Sequence, residues 1–539
     1  MDLPSFPVCK KIINVYTITL IVLLSFLTVA DLGLYHAWGF RLDATPLQYF
    51  NSPNEMRASI GSSPIVSLIA IFVLLSIVFI WLYKYAVPSV IVRQGTSMRN
   101  GFISLFLLAV LFIPIRGGLQ QIPINQSDVY FSSKVYADHA ALNMPWNLMH
   151  SLLNKKLDKT NPYGYLPVEE AKKIKDSLYQ TQLPAVKILY TQRPNIIFII
   201  LESYTSKFVG CLGGVPGVTP NLDSIAADGM LFTHIYASGD RSEKGLVALL
   251  SGYPTQTTTS IIFDPAKTQN LPGLQGSLQQ YGYHSAYYYG GELEFANIKS
   301  YLVNQRFQKL VSKKDFASKD YNSKWGVHDH ILFNRLQDDL SNSTQPFFAT
   351  LFTLSSHEPY EIPIPAKFEG SDETTEFKNS FYYTDQALGE FIRNAKTQRW
   401  WDSTLIILVA DHGHRLPGND DIFNPAKFRI PLVLTGGALK NKHVVNDVIG
   451  SQTDIAYSLL QQMGMNTDAY KWSRNLLAPG DGFAFYVFND GFGFITSSGA
   501  FAFDNVSRKV IYKDPAITDK QLSTGKAYMQ SSYADFLNR

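Results

Sequence analysis

The sequence predicts an α/β fold with a mostly parallel sheet between helices, preceded by transmembrane helices and followed by a small antiparallel sheet. Three observations support this prediction. Three apolar runs crowd the first 120 residues. From residue 193, strand-like apolar runs that end in an acidic residue alternate with helical stretches. From about residue 475, short strands alternate with turns, as in antiparallel sheets.

The bulk composition excludes several classes of protein. A chain of 539 residues is long enough for more than one structural region. A net charge of +3 gives no strong field for polyanions, and no nucleic-acid partner is expected. The cysteines, Cys9 and Cys211, lie far apart, which argues against a disulfide framework or a cysteine-rich metal site.

The N-terminal runs predict a membrane anchor. The runs at 12–30 and 64–83 are long enough to span a bilayer, for which roughly 17 to 20 apolar residues suffice. The third run, at 101–115, is shorter and contains Pro114. A cleaved signal peptide is the alternative interpretation of the first run, but two further apolar runs follow it.

Charges between the runs predict the orientation. Lys10 and Lys11 precede the first run, and the loop 84–100 contains three basic residues and no acidic one. The positive-inside rule therefore places the N-terminus and this loop in the cytoplasm. Three crossings would leave everything after about residue 117 outside, as in a multi-pass protein of the bacterial inner membrane.

Three regions follow from this layout. Residues 1–118 form the predicted transmembrane region. Residues 119–190 form a polar connector that includes an exposed amphipathic helix at 169–182. Residues 191–539 form the predicted catalytic domain on the periplasmic or extracellular side.

Two strands of this domain have the same design. The stretch "NIIFIILES" ends its apolar run in Glu202, and "STLIILVADHGH" ends its run in Asp411 and His412. Uninterrupted apolar runs are typical of strands buried on both faces of a parallel sheet. Further strands are predicted at 284–290, 346–360 and 430–437, with helices at 219–229 and 381–396.

The polar residues after these strands predict a metal site. In parallel sheets, functional groups gather outside the carboxyl ends of the strands, where Glu202, Asp411, His412 and His357 all fall. Carboxylate and imidazole ligands suit zinc, manganese and related divalent ions. Taken singly, an acid after a strand is more often a helix cap or surface residue, and His357 is compatible with an ordinary loop histidine.

Ser242 stands in an unusual stretch, "DRSEKGLVALL", between four charged residues and directly before an apolar run. One interpretation is an exposed loop in which Ser242 caps the following helix. The other is a nucleophile at a helix start, where an anion is stabilised. A neighbouring metal would lower the pKa of its hydroxyl, and Gly245 would allow a close backbone approach.

The motifs resemble a known family when they are taken in order. The segments "NIIFIILES", "TPNLDSIAADGMLFTHIYASGDRSEKG", "LSGYP", "FTLSSHEPY", "YYTDQALGEF", "ADHGHR" and "TDIAYSLL" are similar to the lipoteichoic acid synthase group. Members of that group are membrane-anchored phosphoglycerol transferases of the alkaline phosphatase and sulfatase superfamily. The resemblance covers residues 193–470.

This resemblance implies an alkaline-phosphatase-like fold and a defined site. It implies one divalent metal, with manganese preferred over magnesium or zinc, held by Glu202, Ser242, Asp411 and His412. Ser242 would occupy the position of the family's nucleophilic threonine, and His357 would contact the phosphate or the leaving oxygen. Phosphatidylglycerol is the implied phospholipid donor, and a glycan or lipid alcohol the implied acceptor.

Three features depart from the family pattern. Serine replaces threonine, and three membrane helices replace five. The family's Trp-x-Arg headgroup contact is also missing, and the nearest polar candidates in "YYYGGELEFANIKSYL" are Tyr289, Asn297 and Lys299. Four further residues are candidate substrate contacts: Arg241, Lys244, His414 and Arg415. Solvated charges are the simpler interpretation of Arg241, Lys244 and Arg415, and His414 is better interpreted as a pocket residue than as a ligand.

Other activities of the superfamily stay open as alternatives. A sulfatase needs a Pro and an Arg shortly after the modified residue, whereas Glu243 to Leu246 contain neither. A two-metal phosphatase or phosphodiesterase needs more ligands, and "GSQTDI" has Gln452 where such relatives often have His. A phosphoethanolamine transferase and a catalytically inactive membrane sensor or scaffold are the remaining alternatives.

Overall fold

The computed structural model describes residues 6–38, 41–42, 65–87, 98–119, 123–131, 135–154, 160–179, 185–343, 346–418 and 420–539. The chain divides into two compact units, Met1–Lys159 and Thr160–Arg539. This division falls within the predicted connector 119–190, and the three-region organisation itself stays a prediction.

The first unit contains the apolar N-terminal helices. Two of them are long and apolar enough to cross a membrane, over Lys10–Tyr35 and Ile65–Ala86, which indicates membrane anchoring. The third apolar run forms a helix whose apolar part, Gly101–Arg116, is shorter. Most of the predicted loop 84–100 lies outside the described residues. The α-helices among its described residues are Phe6–Trp38, Ile65–Ala86, Met98–Arg116, Val135–Ala141 and Met144–Asn154.

An eight-stranded sheet forms the centre of the second unit, in the order β4-β3-β5-β1-β6-β7-β2-β8. Every neighbouring pair is parallel except the two pairs that include β7, so seven strands share one direction. The strands are β1 (Asn195–Leu201), β2 (Met230–Tyr236), β3 (His284–Tyr289), β4 (Lys309–Val311), β5 (Phe347–Phe352), β6 (Thr404–Ala410), β7 (Arg429–Thr435) and β8 (Val444–Ser451).

The two central strands explain why the sequence pattern predicted this sheet. Every residue of β1 and of β6 is buried, as expected for strands with helices on both faces. The apolar runs are therefore uninterrupted, and the first polar residues mark the points where the strands leave the core. The predicted mostly parallel α/β fold is confirmed. The pattern did not reveal that β7 runs antiparallel.

A second, four-stranded antiparallel sheet follows near the C-terminus, in the order β12-β11-β10-β9. The predicted small antiparallel sheet is confirmed, with a tight turn at Asn489 and Asp490 between its first two strands. The strands are β9 (Ala484–Phe488), β10 (Gly491–Thr496), β11 (Gly499–Asp504) and β12 (Lys509–Lys513).

Helices occupy much of the remaining length of the second unit. The α-helices are Val168–Ser177, Pro220–Asp228, Ser242–Ser251, Pro265–Thr268, Leu274–Gln279, Ile298–Asn304, Asp329–Ser341, Glu373–Ala395, Pro425–Phe428, Thr453–Gln462 and Asp519–Asn538. The helix Val168–Ser177 overlaps the predicted 169–182 helix, of which residues 180–182 lie outside the described residues. Its neighbour Leu166 bonds to Gln530 of the last helix. This half of the predicted connector is therefore packed onto the catalytic unit.

Candidate metal-dependent active site

Three ionisable side chains meet where β1 and β6 end. The two strands are parallel neighbours that pair Leu201 with Ala410, so the residues after them emerge at the same edge of the sheet. One ligand atom each of Glu202, Asp411 and His412 lies within 4.8 Å of the others, and all three residues are buried. Within the described ranges, this is the only such group of acidic, histidine and cysteine side chains.

The electrostatics of this cluster favour a bound cation. Burial and the neighbouring Asp411 carboxylate raise the pKa of Glu202 to about 8. Burial opposes protonation of His412, but the charges of Asp411 and Glu202 outweigh it and raise the pKa of that imidazole. The Asp411 Oδ2 atom is buried and accepts no hydrogen bond from any described residue. A divalent cation fits this donor set, because it would neutralise the carboxylates and occupy the unpaired oxygen.

His412 presents the nitrogen that a cation needs. Its Nδ1 atom lies 2.8 Å from the carbonyl oxygen of Gly413 and donates to it, which leaves Nε2 as the unprotonated nitrogen of the neutral ring. Nε2 lies 3.4 Å from Asp411 Oδ2 and 3.6 Å from Glu202 Oε1. The ring is therefore oriented as in typical metal-binding histidines.

Ser242 lies beside this cluster. It is the first residue of the helix Ser242–Ser251, and Arg241 is the N-cap, so the capping interpretation of Ser242 does not hold. Its Oγ atom donates a 3.3 Å hydrogen bond to Glu202 Oε2. The hydroxyl thus sits between the positive end of a helix and a buried carboxylate.

Gly245 brings the helix of Ser242 close to the second ligand strand. A Cβ atom on this residue would lie 1.9 Å from the carbonyl oxygen of Asp411. Gly245 thus allows a close approach between its helix and the backbone of Asp411, whereas the approach of an anion at this helix start stays a prediction. This contact fixes the distance between Ser242 and the cluster.

His357 makes its contacts outside the cluster of Glu202, Asp411 and His412. Its Nδ1 atom lies 3.0 Å from the Glu358 carbonyl oxygen, and its ring packs on Trp325 with 4.6 Å between centroids. Trp325 donates its indole N–H to the same carbonyl at 2.7 Å. No hydrogen bond among the described residues joins His357 to the metal cluster. Its predicted contact with substrate remains a prediction.

The charged residues around Ser242 divide into two groups. Arg241 is exposed. Lys244 is buried, which contradicts the interpretation of its charge as solvated, and its Nζ atom lies 3.2 Å from Asp240 Oδ1. Lys427 approaches the same carboxylate at 3.7 Å. Burial alone would raise the pKa of Asp240, but the charges of Lys244 and Lys427 outweigh burial and lower it.

The three headgroup candidates have different surroundings. Tyr289 is buried and stacks on Phe352 at a centroid distance of 5.2 Å. Burial and the charge of Glu202 raise the pKa of its phenol, which indicates that the ring lies near the cluster. Asn297 has a left-handed backbone with φ 59°, and Lys299 forms a 2.9 Å ion pair with Glu294.

His414 and Arg415 make structural contacts. The His414 ring lies 4.3 Å from Phe377, and its Nδ1 atom accepts the Leu416 N–H at 3.2 Å. Burial and the charge of His412 lower the pKa of His414 to about 3, so this imidazole is neutral. Arg415 pairs with Glu373 through contacts of 2.5 and 2.7 Å.

Sequence reasoning missed two residues that organise the site. Ser203 bonds to both metal-site carboxylates. Gln452 is buried, and its Nε2 atom donates to the carbonyl oxygens of Ala410 and Asp411 at 2.8 and 2.6 Å. From the sequence, Gln452 is notable only as a residue at a position where two-metal relatives often have His. The serine directly after the "LE" of the first strand was the available signal for Ser203.

Comparison with known proteins decides the family. A sequence profile of the sulfatase family, part of the alkaline phosphatase superfamily, matches residues 194–465. The chain belongs to the sulfatase family. This membership confirms the resemblance inferred from the sequence, and the sulfatase-family region contains every residue of the cluster.

Among curated relatives, the sulfatase-family chain has distant homology to lipoteichoic acid synthases and phosphoglycerol transferase I. It is 24% identical to the lipoteichoic acid synthase-like protein YvgJ of Bacillus subtilis, over 56% of this chain and 52% of the relative. It is 25% identical to phosphoglycerol transferase I of Xanthomonas campestris, over 53% of this chain and 43% of the relative. The chain thus spans about half the length of these curated relatives.

Solved structures support the fold. A protein of the alkaline phosphatase superfamily from Vibrio parahaemolyticus is 27% identical, with a TM-score of 0.62 over 71% of this chain and 98% of that one. The lipoteichoic acid synthase LtaP from Listeria monocytogenes is 17% identical, with a TM-score of 0.55 over 69% of this chain and 99% of that one. The alkaline-phosphatase-like architecture is confirmed.

Proposed function

We propose that this sulfatase-family protein is a membrane-anchored transferase that moves a phosphoglycerol-type headgroup from a phospholipid to an acceptor alcohol. The observation that supports this most is the position of Ser242, whose hydroxyl lies 3.3 Å from Glu202 beside the only metal-type cluster of the described residues. A hydroxyl nucleophile next to a cation site is an arrangement that serves phosphoryl transfer through a covalent intermediate. The names of the homologous relatives support the phosphoglycerol headgroup.

The cluster would hold one divalent cation. Glu202, Asp411, His412 and Ser242 would be its ligands, with manganese preferred and magnesium or zinc as alternatives. When bound, the cation supplies positive charge that lowers the pKa of the Ser242 hydroxyl and stabilises the phosphoryl oxygens. Gln452 lies beside Asp411, and its amide nitrogen donates to the backbone carbonyl oxygens of Ala410 and Asp411. Because this side chain offers no charged ligand for a second metal, the site is suited to a single cation.

The reaction would proceed in two displacements. In the first, Ser242 Oγ forms a bond to phosphorus, the bond from phosphorus to the diacylglycerol oxygen breaks, and the serine proton ends on diacylglycerol. In the second, the acceptor hydroxyl forms a bond to phosphorus, and the bond to Ser242 breaks. The acceptor proton returns to Ser242. The covalent intermediate is glycerophosphoryl-serine, and the acceptor is a glycan or lipid alcohol.

Further residues would contact the substrate. We assign His357 to the phosphate or to the leaving oxygen, because its Nδ1 atom is engaged by Glu358 and its Nε2 atom is left for substrate. Tyr289, Asn297, Lys299, Arg241, Lys244, His414 and Arg415 stay candidate contacts. Among them, the ion pairs of Lys299 and Arg415 would have to open before either residue could bind a phosphate.

The membrane anchor suits a lipid donor. We propose that the catalytic unit lies on the periplasmic or extracellular side of a bacterial inner membrane and that phosphatidylglycerol is the donor. The helix Met98–Arg116 would provide a third crossing. Because the anchor keeps the protein at the bilayer, it raises the local concentration of a lipid substrate without any specific contact.

A phosphoethanolamine transferase is the second candidate, because the nucleophile and cation site would serve either headgroup. A sulfatase is disfavoured, since the residues after Ser242 do not include the required Pro and Arg. A catalytically inactive sensor would have no need for a cluster in which a buried carboxylate oxygen, Asp411 Oδ2, accepts no hydrogen bond from the described residues.

Intact-mass analysis of the full-length protein tests the nucleophile and the donor together. The protein is purified in detergent and incubated with Mn²⁺ and phosphatidylglycerol. We expect a mass increase equal to one glycerophosphoryl group for the wild type and for Ser242→Thr, which keeps a hydroxyl. Ser242→Ala should show no increase.

Each other outcome of this experiment identifies what is wrong. An adduct on Ser242→Ala would exclude this serine as the nucleophile. In a parallel incubation with phosphatidylethanolamine, an adduct that forms only with this lipid would replace the donor and establish the second candidate function. If manganese binds but no adduct forms, the proposed cation site stands and phosphatidylglycerol is refuted as the donor.

A further inference from the structure

Ser203 has an unusual backbone conformation. It follows β1 and Glu202, is only 6% exposed, and has a φ angle of 59°. This left-handed region disfavours serine, whereas glycine and asparagine tolerate it. Residues held in such conformations are kept in place by their surroundings and concentrate at functional sites.

This conformation allows one residue to bond to carboxylates that follow two different strands. The backbone N–H of Ser203 donates to Asp411 Oδ1 at 2.8 Å. Its hydroxyl donates to Glu202 Oε1 at 2.7 Å. Both bonds are buried, so water does not compete with them.

The two hydrogen bonds from Ser203 reach only one oxygen of each carboxylate, Asp411 Oδ1 and Glu202 Oε1. Asp411 Oδ1 also accepts the His412 N–H at 2.8 Å, whereas Asp411 Oδ2 is buried without a hydrogen-bond donor among the described residues. Glu202 Oε2 receives only the longer 3.3 Å bond from Ser242 among the described residues. The rotation of both carboxylates is therefore fixed by donors on one side of the cluster.

We infer that Ser203 is a positioning residue that fixes the orientation of both cation-binding carboxylates. Its N–H holds Asp411 Oδ1, which leaves Asp411 Oδ2 for the cation. Its hydroxyl fixes the rotation of the Glu202 carboxylate, whose Oε1 atom lies 3.6 Å from His412 Nε2 and whose Oε2 atom faces Ser242. The inference rests on the proposed function, because it presumes a cation at this site. It adds a residue that touches neither substrate nor cation.

Partners of metal ligands of this kind contribute substantially to affinity. Removing one typically lowers metal affinity by about 10- to 100-fold, because the ligand loses its orientation. For Ser203, the loss should come from the hydroxyl, since every substitution except proline keeps the N–H. Glycine removes the hydroxyl and also relieves the left-handed backbone, whereas alanine removes the hydroxyl and keeps the strain.

The test measures the Kd for Mn²⁺ of the full-length protein in detergent, by equilibrium dialysis with metal analysis. We expect both Ser203→Gly and Ser203→Ala to raise the Kd at least tenfold. The matched control is Ser356→Ala, which removes another buried hydroxyl at Glu202 that donates to its backbone carbonyl at 2.6 Å and not to its carboxylate. This control should keep the wild-type Kd.

The outcomes separate the inference from the function on which it rests. A wild-type Kd for Ser203→Gly would overturn the positioning role while leaving the cation site intact. An equal rise in Kd for Ser356→Ala would also overturn it, because any buried hydroxyl near Glu202 would then suffice. If the wild type binds no Mn²⁺, both the proposed function and the inference fail. Thermal melts identify a variant that does not fold. If Ser203→Ala does not fold, the Kd of Ser203→Gly decides whether Ser203 has the positioning role.

Discussion

At the scale of single residues, Asp411 has two oxygens in unequal environments. Oδ1 accepts two backbone N–H groups, whereas Oδ2 is buried without a donor among the described residues. A buried oxygen without a partner costs about 1–3 kcal/mol, and the nearby Glu202 carboxylate adds repulsion. Such an arrangement is unfavourable without a cation and favourable with one.

Asp411→Asn should therefore have opposite effects in the two states. Without metal, and above the pKa of about 8 at which Glu202 ionises, the loss of repulsion with Glu202 should raise the free energy of unfolding by about 1 kcal/mol. With Mn²⁺, the variant should lose the stabilisation that the wild type gains, which is about 2.7 kcal/mol at a free concentration of 100 times Kd. Melting temperatures with EDTA and with Mn²⁺ measure both effects. An Mn²⁺-induced shift equal to that of the wild type would refute Asp411 as a ligand.

At the scale of elements, the helix Ser242–Ser251 packs closely against the end of the strand β6 because Gly245 has no side chain. A Cβ atom at Gly245 would overlap the carbonyl oxygen of Asp411 at 1.9 Å, so a side chain there must push the helix away. The helix carries Ser242 and the strand leads to Asp411. The contact between the two elements therefore determines the geometry between nucleophile and cation site.

Gly245→Ala should reduce adduct formation by roughly 100-fold, because a displacement near 1 Å at a reacting group has an effect of that size. The result would run against intrinsic helix propensity, which favours alanine over glycine by about 1 kcal/mol. Gly276→Ala is the matched control, since a Cβ atom in that helix would meet no atom within 4 Å. It should keep full activity and gain stability. Equal activity of Gly245→Ala and the wild type would show that this contact does not position Ser242.

At the scale of the whole molecule, the number of membrane crossings decides on which side the catalytic unit lies. In the part of the chain that the structure describes, two helices have the length and hydropathy of a membrane span, over Lys10–Tyr35 and Ile65–Ala86. Two crossings would return the chain to the side of its N-terminus, whereas a third crossing by Met98–Arg116 would place the catalytic unit opposite. The basic residues Lys10 and Lys11 favour a cytoplasmic N-terminus.

An epitope tag placed after Arg539 tests this topology. In intact bacterial spheroplasts, we expect added proteinase K to remove the tag, because three crossings place the C-terminus outside. A cytoplasmic protein should survive in the same sample and should be digested only after detergent lysis. Protection of the tag in intact spheroplasts would indicate an even number of crossings and would contradict an extracytoplasmic catalytic unit.

Much of the site could be predicted because its signals are local in sequence. Glu202, Asp411 and His412 each follow an uninterrupted apolar strand, and parallel strands bring their carboxyl ends to one edge. Ser242 was visible for the same reason, as a polar residue at the start of an apolar helix. The roles of Lys244 and Ser203 were not visible, since each depends on a partner that lies elsewhere in the fold.

The sequence by itself determined the class of the fold, the apolar N-terminal helices and the residues of the candidate cation site, because hydrophobic periodicity and strand ends are properties of short segments. Only the tertiary structure decided that β7 runs antiparallel, that Lys244 is buried against Asp240, and that Ser203 bonds to Glu202 and Asp411. These features depend on strand pairing and on side chains brought together from distant segments. No local pattern specifies such contacts, because their energy arises only when the core has assembled.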